Sequence, residues 1–205
     1  FLKELNVKRS NWAAQLFFTE LDPNNLNAGA DALLKDMKLV PKEIKMAVSV
    51  FPKVIDALEA FKKSVPILQD LKNECIRDRH WKQIMDVTGK TFDISPGSFT
   101  LGVVFDLNLE KIADKINDIC GAAQKELAIE SGLRKISENW AVYKLDLIHY
   151  TKNEEDRGYV LRSVEDVTLL LDDNMMALQS MSASKFVAAF IEEVRTWEKQ
   201  LSKIG

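Results

Sequence analysis

The sequence predicts a mainly α-helical chain, an elongated multi-helix bundle with one small inserted β-hairpin. Three observations lead there. Apolar residues recur every third or fourth position through most of the length, which puts them on one face of successive helices. Prolines at 41, 52 and 66 punctuate the first third. Between Asn139 and Arg162 the helical period gives way to a run rich in strand-forming side chains.

Taken in order, the prolines divide the first third into short helices, since each lacks an N–H and is best tolerated in a first helical turn. Leu68, Leu71 and Cys75, then Trp81, Ile84 and Met85, read as two helical segments broken or bent around Arg77, Asp78 and Arg79. The stretch from Thr88 to Thr100, with Gly89, Pro96 and Gly97, reads as a loop or subdomain joint. It separates a helical subdomain at 1–95 from a second at 96–205. With Asp106 or Asn108 as N-cap, Leu109, Ile112, Ile116, Ile119, Ala123 and Leu127 form one stripe. Trp140, Val142, Leu145, Leu147 and Ile148, mixed with Tyr143, His149 and Tyr150, form the first strand region. A polar turn from Thr151 to Arg157, then Gly158, returns through Tyr159, Val160 and Leu161, so the hairpin spans about 140–162. Ser163, Val164, Glu165 and Asp166 match a capping box and start a helix that carries Val164, Val167, Leu171, Met175 and Leu178 inward. Phe186, Phe190, Val194, Trp197 and Leu201 make the last stripe.

Composition narrows the function classes. In 205 residues, 31 acidic side chains against 28 basic ones give a net charge of −3, too balanced for a nucleic-acid footprint. No apolar run approaches the ~20 residues needed to span a bilayer, so no membrane partner is expected. Two isolated cysteines, Cys75 and Cys120, suit a reducing compartment and lack metal-ligand spacing. The chain opens on Phe1 without a methionine and stops after an amphipathic run, which reads as a piece of something longer.

No catalytic, cofactor-binding or metal-ligating residue emerges. Gly89-Lys90-Thr91 imitates part of a phosphate loop, but Ile84 stands where the motif needs its first glycine. His80 and His149 have no Cys, His or carboxylate at a metal-like spacing on the same helical face, and read as hydrogen-bonded structural histidines. Asp172-Asp173 and Glu154-Glu155 read as a helix surface and a solvated turn. Trp81 and Trp197 lie on apolar stripes and are expected in the core. Met175, Met176 and Met181 offer either core filling or an adaptable surface. Two charged groups remain as candidate contact surfaces. One is the basic cluster Arg77, Arg79 and Lys82, a contact patch or a solvated face whose field Asp78 and Asp86 dilute. The other is the tip around Glu154, Glu155, Asp156 and Arg157, a docking point or a solvated hairpin end.

Four blocks carry a family resemblance. They are Ile76-Arg77-Asp78-Arg79-His80-Trp81-Lys82-Gln83-Ile84-Met85, Asp156-Arg157-Gly158-Tyr159-Val160-Leu161, Leu171-Asp172-Asp173-Asn174 running into Leu178-Gln179-Ser180-Met181-Ser182, and Val194-Arg195-Thr196-Trp197-Glu198-Lys199. In this order and spacing they resemble the linker region of dynein heavy chains, from about Val65 to Gly205, and the run Val50 to Leu71 is similar in character. The second and third blocks resemble the axonemal (ciliary and flagellar) branch. The resemblance implies a mechanical lever over an AAA+ ring, whose bending and straightening drive movement along microtubules in the axoneme. It also implies that ATP and Mg are bound by the parent chain and not by this fragment, which is expected to be no enzyme by itself. Implied partners are the ring of the same chain, intermediate and light chains, and the microtubule through the parent. The competing expectations are an autonomous helical adaptor or scaffold, and an enzyme hidden in the bundle.

Overall fold

A computed structural model describes residues 2–47 and 50–204. It is mainly helical with a single two-stranded antiparallel sheet among these residues. The helices are α1 (Leu2–Ala14), α2 (Phe17–Glu20), α3 (Pro23–Leu39), α4 (Lys42–Ala47), α5 (Val50–Leu71), α6 (Asp78–Thr88) and α7 (Leu101–Asp106). A 3-10 turn (Leu109–Ile112) leads into α8 (Ala113–Val142), strands β1 (Leu147–Lys152) and β2 (Glu155–Leu161), then α9 (Glu165–Ser182) and α10 (Ile191–Leu201). The chain separates into two compact units, Phe1–Ala123 and Gln124–Gly205, and the division falls within α8.

The first unit shows how local chemistry sets its elements. Asp22 caps α3 by accepting from the backbone of Asn24 and Asn25, and Pro23 occupies the first turn, where its missing N–H costs nothing. Leu26, Ala30, Leu33 and Met37 then bury one stripe. Pro41 precedes α4 and Pro52 lies in the first turn of α5, as the sequence suggests. Pro66 does not divide anything: α5 runs through it. Its ring lies on the exposed side of the helix, where water can take up a released carbonyl, while Val65, Ile67 and Leu68 beside it are buried. Packing of those three outweighs a local cost of about 3 kcal/mol.

Helix α6 is separate from α5, with the break at residues 72–77. Its inner face carries His80, Trp81 and Ile84. Trp81 joins Phe17, Phe18, Phe92 and Phe99 in an aromatic cluster with ring centroids 5.2 to 6.2 Å apart, mostly edge to face. The cluster reaches into Thr88–Thr100, the stretch expected to be a loop or subdomain joint. The segment is irregular, as expected, but Phe99 is fully buried and its carbonyl accepts from Phe17 N at 2.9 Å. Leu101 N in turn donates to Gln15 O at 2.9 Å, so the loop is stitched to the first helices. Inside the loop, Asp93 Oδ1 accepts from Ser95 N and Ser95 Oγ, and Oδ2 from Ser98 Oγ.

In the second unit Ile129, Leu133 and Ile136 of α8 pack with Leu178 of α9 and Val187, Val194 and Leu201. Sequence periodicity finds these stripes but misplaces their edges. Trp140 and Val142 finish α8 instead of opening a strand: Trp140 continues the 4-3-4 spacing of the buried face, and packing overrides strand propensity. Phe186 and Phe190 lie in the turn before α10, and Val187 is the buried residue there. Trp197 is only half-buried, unlike Trp81. Helix α9 starts where the capping box suggests, by another device. Ser163 Oγ donates to the Glu165 carboxylate, and Val164, expected inward, is exposed. Asn108 likewise precedes its helix without a side-chain cap, in a left-handed conformation.

The hairpin turn is tighter than the polar run implies. Only Asn153 and Glu154 form it, with φ of 55° and 64°, the two-residue geometry whose twist matches antiparallel strands. Thr151, Lys152, Glu155, Asp156 and Arg157 belong to the strands. His149 faces Tyr159 and Thr151 faces Asp156, so two residues of β2, Arg157 and Gly158, oppose Tyr150 alone. Gly158, at φ 87°, supplies the conformation this bulge needs.

Candidate functional site

The basic cluster sits on the outer side of α6. Its helix is set by an unusual cap: Arg77 N donates to His80 Nδ1 at 3.0 Å, so the buried imidazole takes the role that Glu or Gln plays in a capping box. With His80, Trp81 and Ile84 turned into the core, Arg77 and Lys82 are exposed and Arg79 is half-exposed. Arg79 and Lys82 are one helical turn apart, the spacing at which side chains share a face. His80 is thus a structural residue, as expected.

The second candidate, the hairpin tip, is exposed at every residue of Lys152–Arg157. Its charges are partly matched within the ribbon. Asp156 Oδ1 accepts from His149 Nε2 at 2.9 Å and from Gly158 N at 2.8 Å. These two bonds, the backbone one foremost, hold the Asp156 carboxyl below the usual carboxylate range. Arg157 pairs with Glu155 at 2.8 Å. Glu154, at the turn itself, projects without such a pair among the described residues.

What residue types alone do not reveal is the apolar surface beside those charges. Leu147, Tyr150, Tyr159, Val160 and Leu161 are all exposed, Tyr159 at 69%. A two-stranded ribbon has two faces and neither is covered in its own unit, so both rows of alternating side chains meet solvent. The sequence signal was present in adjacent apolar pairs such as Leu147-Ile148 and Val160-Leu161, which fill both faces of a strand. Exposed apolar rows bordered by charge mark contact surfaces in soluble proteins.

The residues that invite a chemical reading are placed otherwise. Gly89 closes α6 in a left-handed conformation, φ 65°, and the chain beyond it is irregular. A phosphate loop instead leads from glycine into a helix N-terminus. The Lys90 ammonium is engaged by the carbonyl of Asp106. Cys75 and Cys120 are buried, and burial pushes both thiols up, Cys120 to about 12, the opposite of an activated nucleophile. No group of three or more His, Cys, Asp or Glu among the described residues could hold a metal ion. No described helix is long and apolar enough to cross a membrane. Within the first unit, Trp12, Leu58, Phe61, Leu68 and Phe105 line an apolar cavity of about 520 Å³ with Arg9, Lys53 and Glu110 also in its lining.

Comparison with known proteins points in one direction. A family described as dynein heavy chain, N-terminal region 2, matches residues 1–205. The chain is 44% identical over 188 residues to the Dynein-1-alpha heavy chain, flagellar inner arm I1 complex, of Chlamydomonas reinhardtii, covering 92% of this chain and 4% of that protein. It is 39% identical over 201 residues to Dynein axonemal heavy chain 10 of Homo sapiens, covering 98% and 4%. Against the cytoplasmic dynein heavy chain of Fusarium vanettenii the identity is 31% over 194 residues, covering 95% and 4%. The chain therefore spans about 4% of the length of these relatives.

Proposed function

The chain belongs to the dynein heavy chain family, and from that premise we propose that it is part of the mechanical linker, the lever that arches over the AAA+ ring of an axonemal motor. The observation that carries this reading is the match to the heavy chain's N-terminal region along all 205 residues. In this reading ATP and Mg act in the ring of the parent chain, and the linker's bending and straightening deliver movement along microtubules in cilia or flagella. Higher identity to the Dynein-1-alpha heavy chain of the flagellar inner arm and to Dynein axonemal heavy chain 10 than to the cytoplasmic chain of Fusarium vanettenii supports that branch.

The physical properties of the chain suit such a part. Helices with buried stripes resist bending, because flexing them would open a close-packed core. The loop at residues 89–99 is held at Phe99 and is a poor place for free hinging. We assign contact with the ring, or with intermediate or light chains, to the hairpin tip at Glu154, Glu155, Asp156 and Arg157 and to Arg77, Arg79 and Lys82. Charge at such places steers docking more than it adds affinity.

The test is made in the intact motor. A dye on Glu154→Cys and a second on the ring should show energy transfer that changes between the ATP-bound and nucleotide-free states. Glu154→Gln with Glu155→Gln, which leaves the Asp156 bonds intact, should alter gliding velocity at normal expression. Constant transfer across nucleotide states in a motor that still glides would rule out the lever assignment.

A further inference from the structure

The first unit carries a basic groove that the lever reading does not use. Helices α3 and α5 pack through Leu33, Met37 and Leu58, and beside this seam lies an open groove of about 560 Å³ lined by Asp31, Leu34, Lys35, Lys38, Glu59, Lys62 and Lys63. Lys62 is paired with Asp31 at 2.5 Å. Lys35, Lys38 and Lys63 are exposed and make no ion pair among the described residues. A further ammonium lies at the Lys38 end, where Lys45 Nζ donates to Lys38 O at 2.9 Å. In a chain of net charge −3, a lining with four lysines against Asp31 and Glu59 is a local excess of positive charge.

We propose that this groove is an interaction surface for an acidic helical segment of a polypeptide. Lys35 and Lys38 are one turn apart on α3, about 4.5 Å along the axis, the spacing of carboxylates at every third or fourth position of a facing helix. Leu34 is half-buried in the lining and offers an apolar contact for such a helix. A nucleic acid is the poorer fit. The lining has no arginine fork and no aromatic platform for a base. An anionic membrane or polyphosphate is also disfavoured, because Asp31 and Glu59 remain in the groove and would face a uniform negative surface. A peptide can place a polar or basic residue opposite Glu59 and carboxylates opposite the three lysines.

The experiment uses the 205-residue chain and a dye-labelled helical peptide of about five turns with Glu at every third or fourth position and Leu on one side. Fluorescence anisotropy at low salt should show saturable binding that weakens as salt rises. Lys35→Glu, Lys38→Glu and Lys63→Glu together should reduce affinity about tenfold or more, since each reversal turns attraction into repulsion. Lys→Gln at the same positions should give a smaller loss. Lys125→Glu, Lys135→Glu and Lys199→Glu, three exposed lysines of the second unit, change the net charge equally and should leave binding within about twofold. Circular dichroism confirms that each variant is folded. Absence of saturable binding at low salt, equal loss in the two triple charge reversals, or displacement by inorganic polyphosphate or phosphatidylserine vesicles at lower charge concentration than by free peptide would overturn the proposal.

Discussion

Asp93 shows how much one residue can organise. Its two carboxylate oxygens close the Ser95–Ser98 turn, and the hydrogen bonds from Ser95 and Ser98 hold its pKa below the ordinary carboxylate value. A carboxyl whose folded pKa is depressed contributes stability above its unfolded pKa and loses it as pH falls through the folded pKa. Replacing Ser95 and Ser98 by alanine should therefore raise the Asp93 pKa toward the ordinary range and reduce the loss of stability on acidification. Side-chain carboxyl shifts followed by NMR against pH measure this, and an unchanged midpoint would show that the turn is held by other bonds. The tryptophans give a second residue-scale contrast. Trp81 is 3% exposed among four phenylalanine rings, whereas Trp197 is half-buried at the margin of its cluster. Trp81→Ala should cost about 3–5 kcal/mol by loss of burial and creation of a cavity. Trp197→Ala should cost about 1–2 kcal/mol, in proportion to the smaller area it removes from water. Denaturant midpoints of the two variants rank them, and equal losses would contradict the burial difference.

At the scale of elements, the helices were legible wherever a stripe continued for several turns, as in α8, α9 and α10. Their ends were not. A period of three or four residues says which face is buried, but it does not say where the chain turns away, and that is decided by contacts such as the packing of Trp140. Pro66 makes the same point from the opposite side. Local chemistry disfavours proline inside a helix, yet α5 continues because its neighbours are held in the core. Pro66→Ala should restore an i to i−4 hydrogen bond and stabilise the first unit by an amount on the order of 1–3 kcal/mol, reduced by the greater freedom of the unfolded chain. A lower denaturation midpoint in this variant would mean that the proline ring itself packs productively. The hairpin was legible as an element, and its two-residue turn was not. Asn153 and Glu154 carry positive φ without the glycine that usually announces such a turn, whereas Gly158, which does look like a turn residue, serves the bulge.

At the scale of the whole molecule, the family follows from the order and spacing of the four sequence blocks, and the comparisons support that assignment along the full length. The surroundings of Gly89 and Lys90 bear on nucleotide chemistry. Gly89 ends a helix, and Lys90 is engaged by a backbone carbonyl. The purified chain should show no saturable ATP binding at micromolar concentrations by isothermal calorimetry, and Lys90→Ala should not change the titration; binding lost on that substitution would restore the phosphate-loop reading. By itself, the sequence determined the helical class, the presence of a hairpin, the inward stripes and the family, because these depend on periodic patterns and motifs written along the chain. Tertiary structure alone decided that Phe99 pins the 89–99 loop, that Trp197 stays partly exposed, that both faces of the hairpin meet solvent, and that four lysines line one groove. Each of those depends on which residues far apart in the chain come together, and burial is a property of that meeting and not of any local pattern.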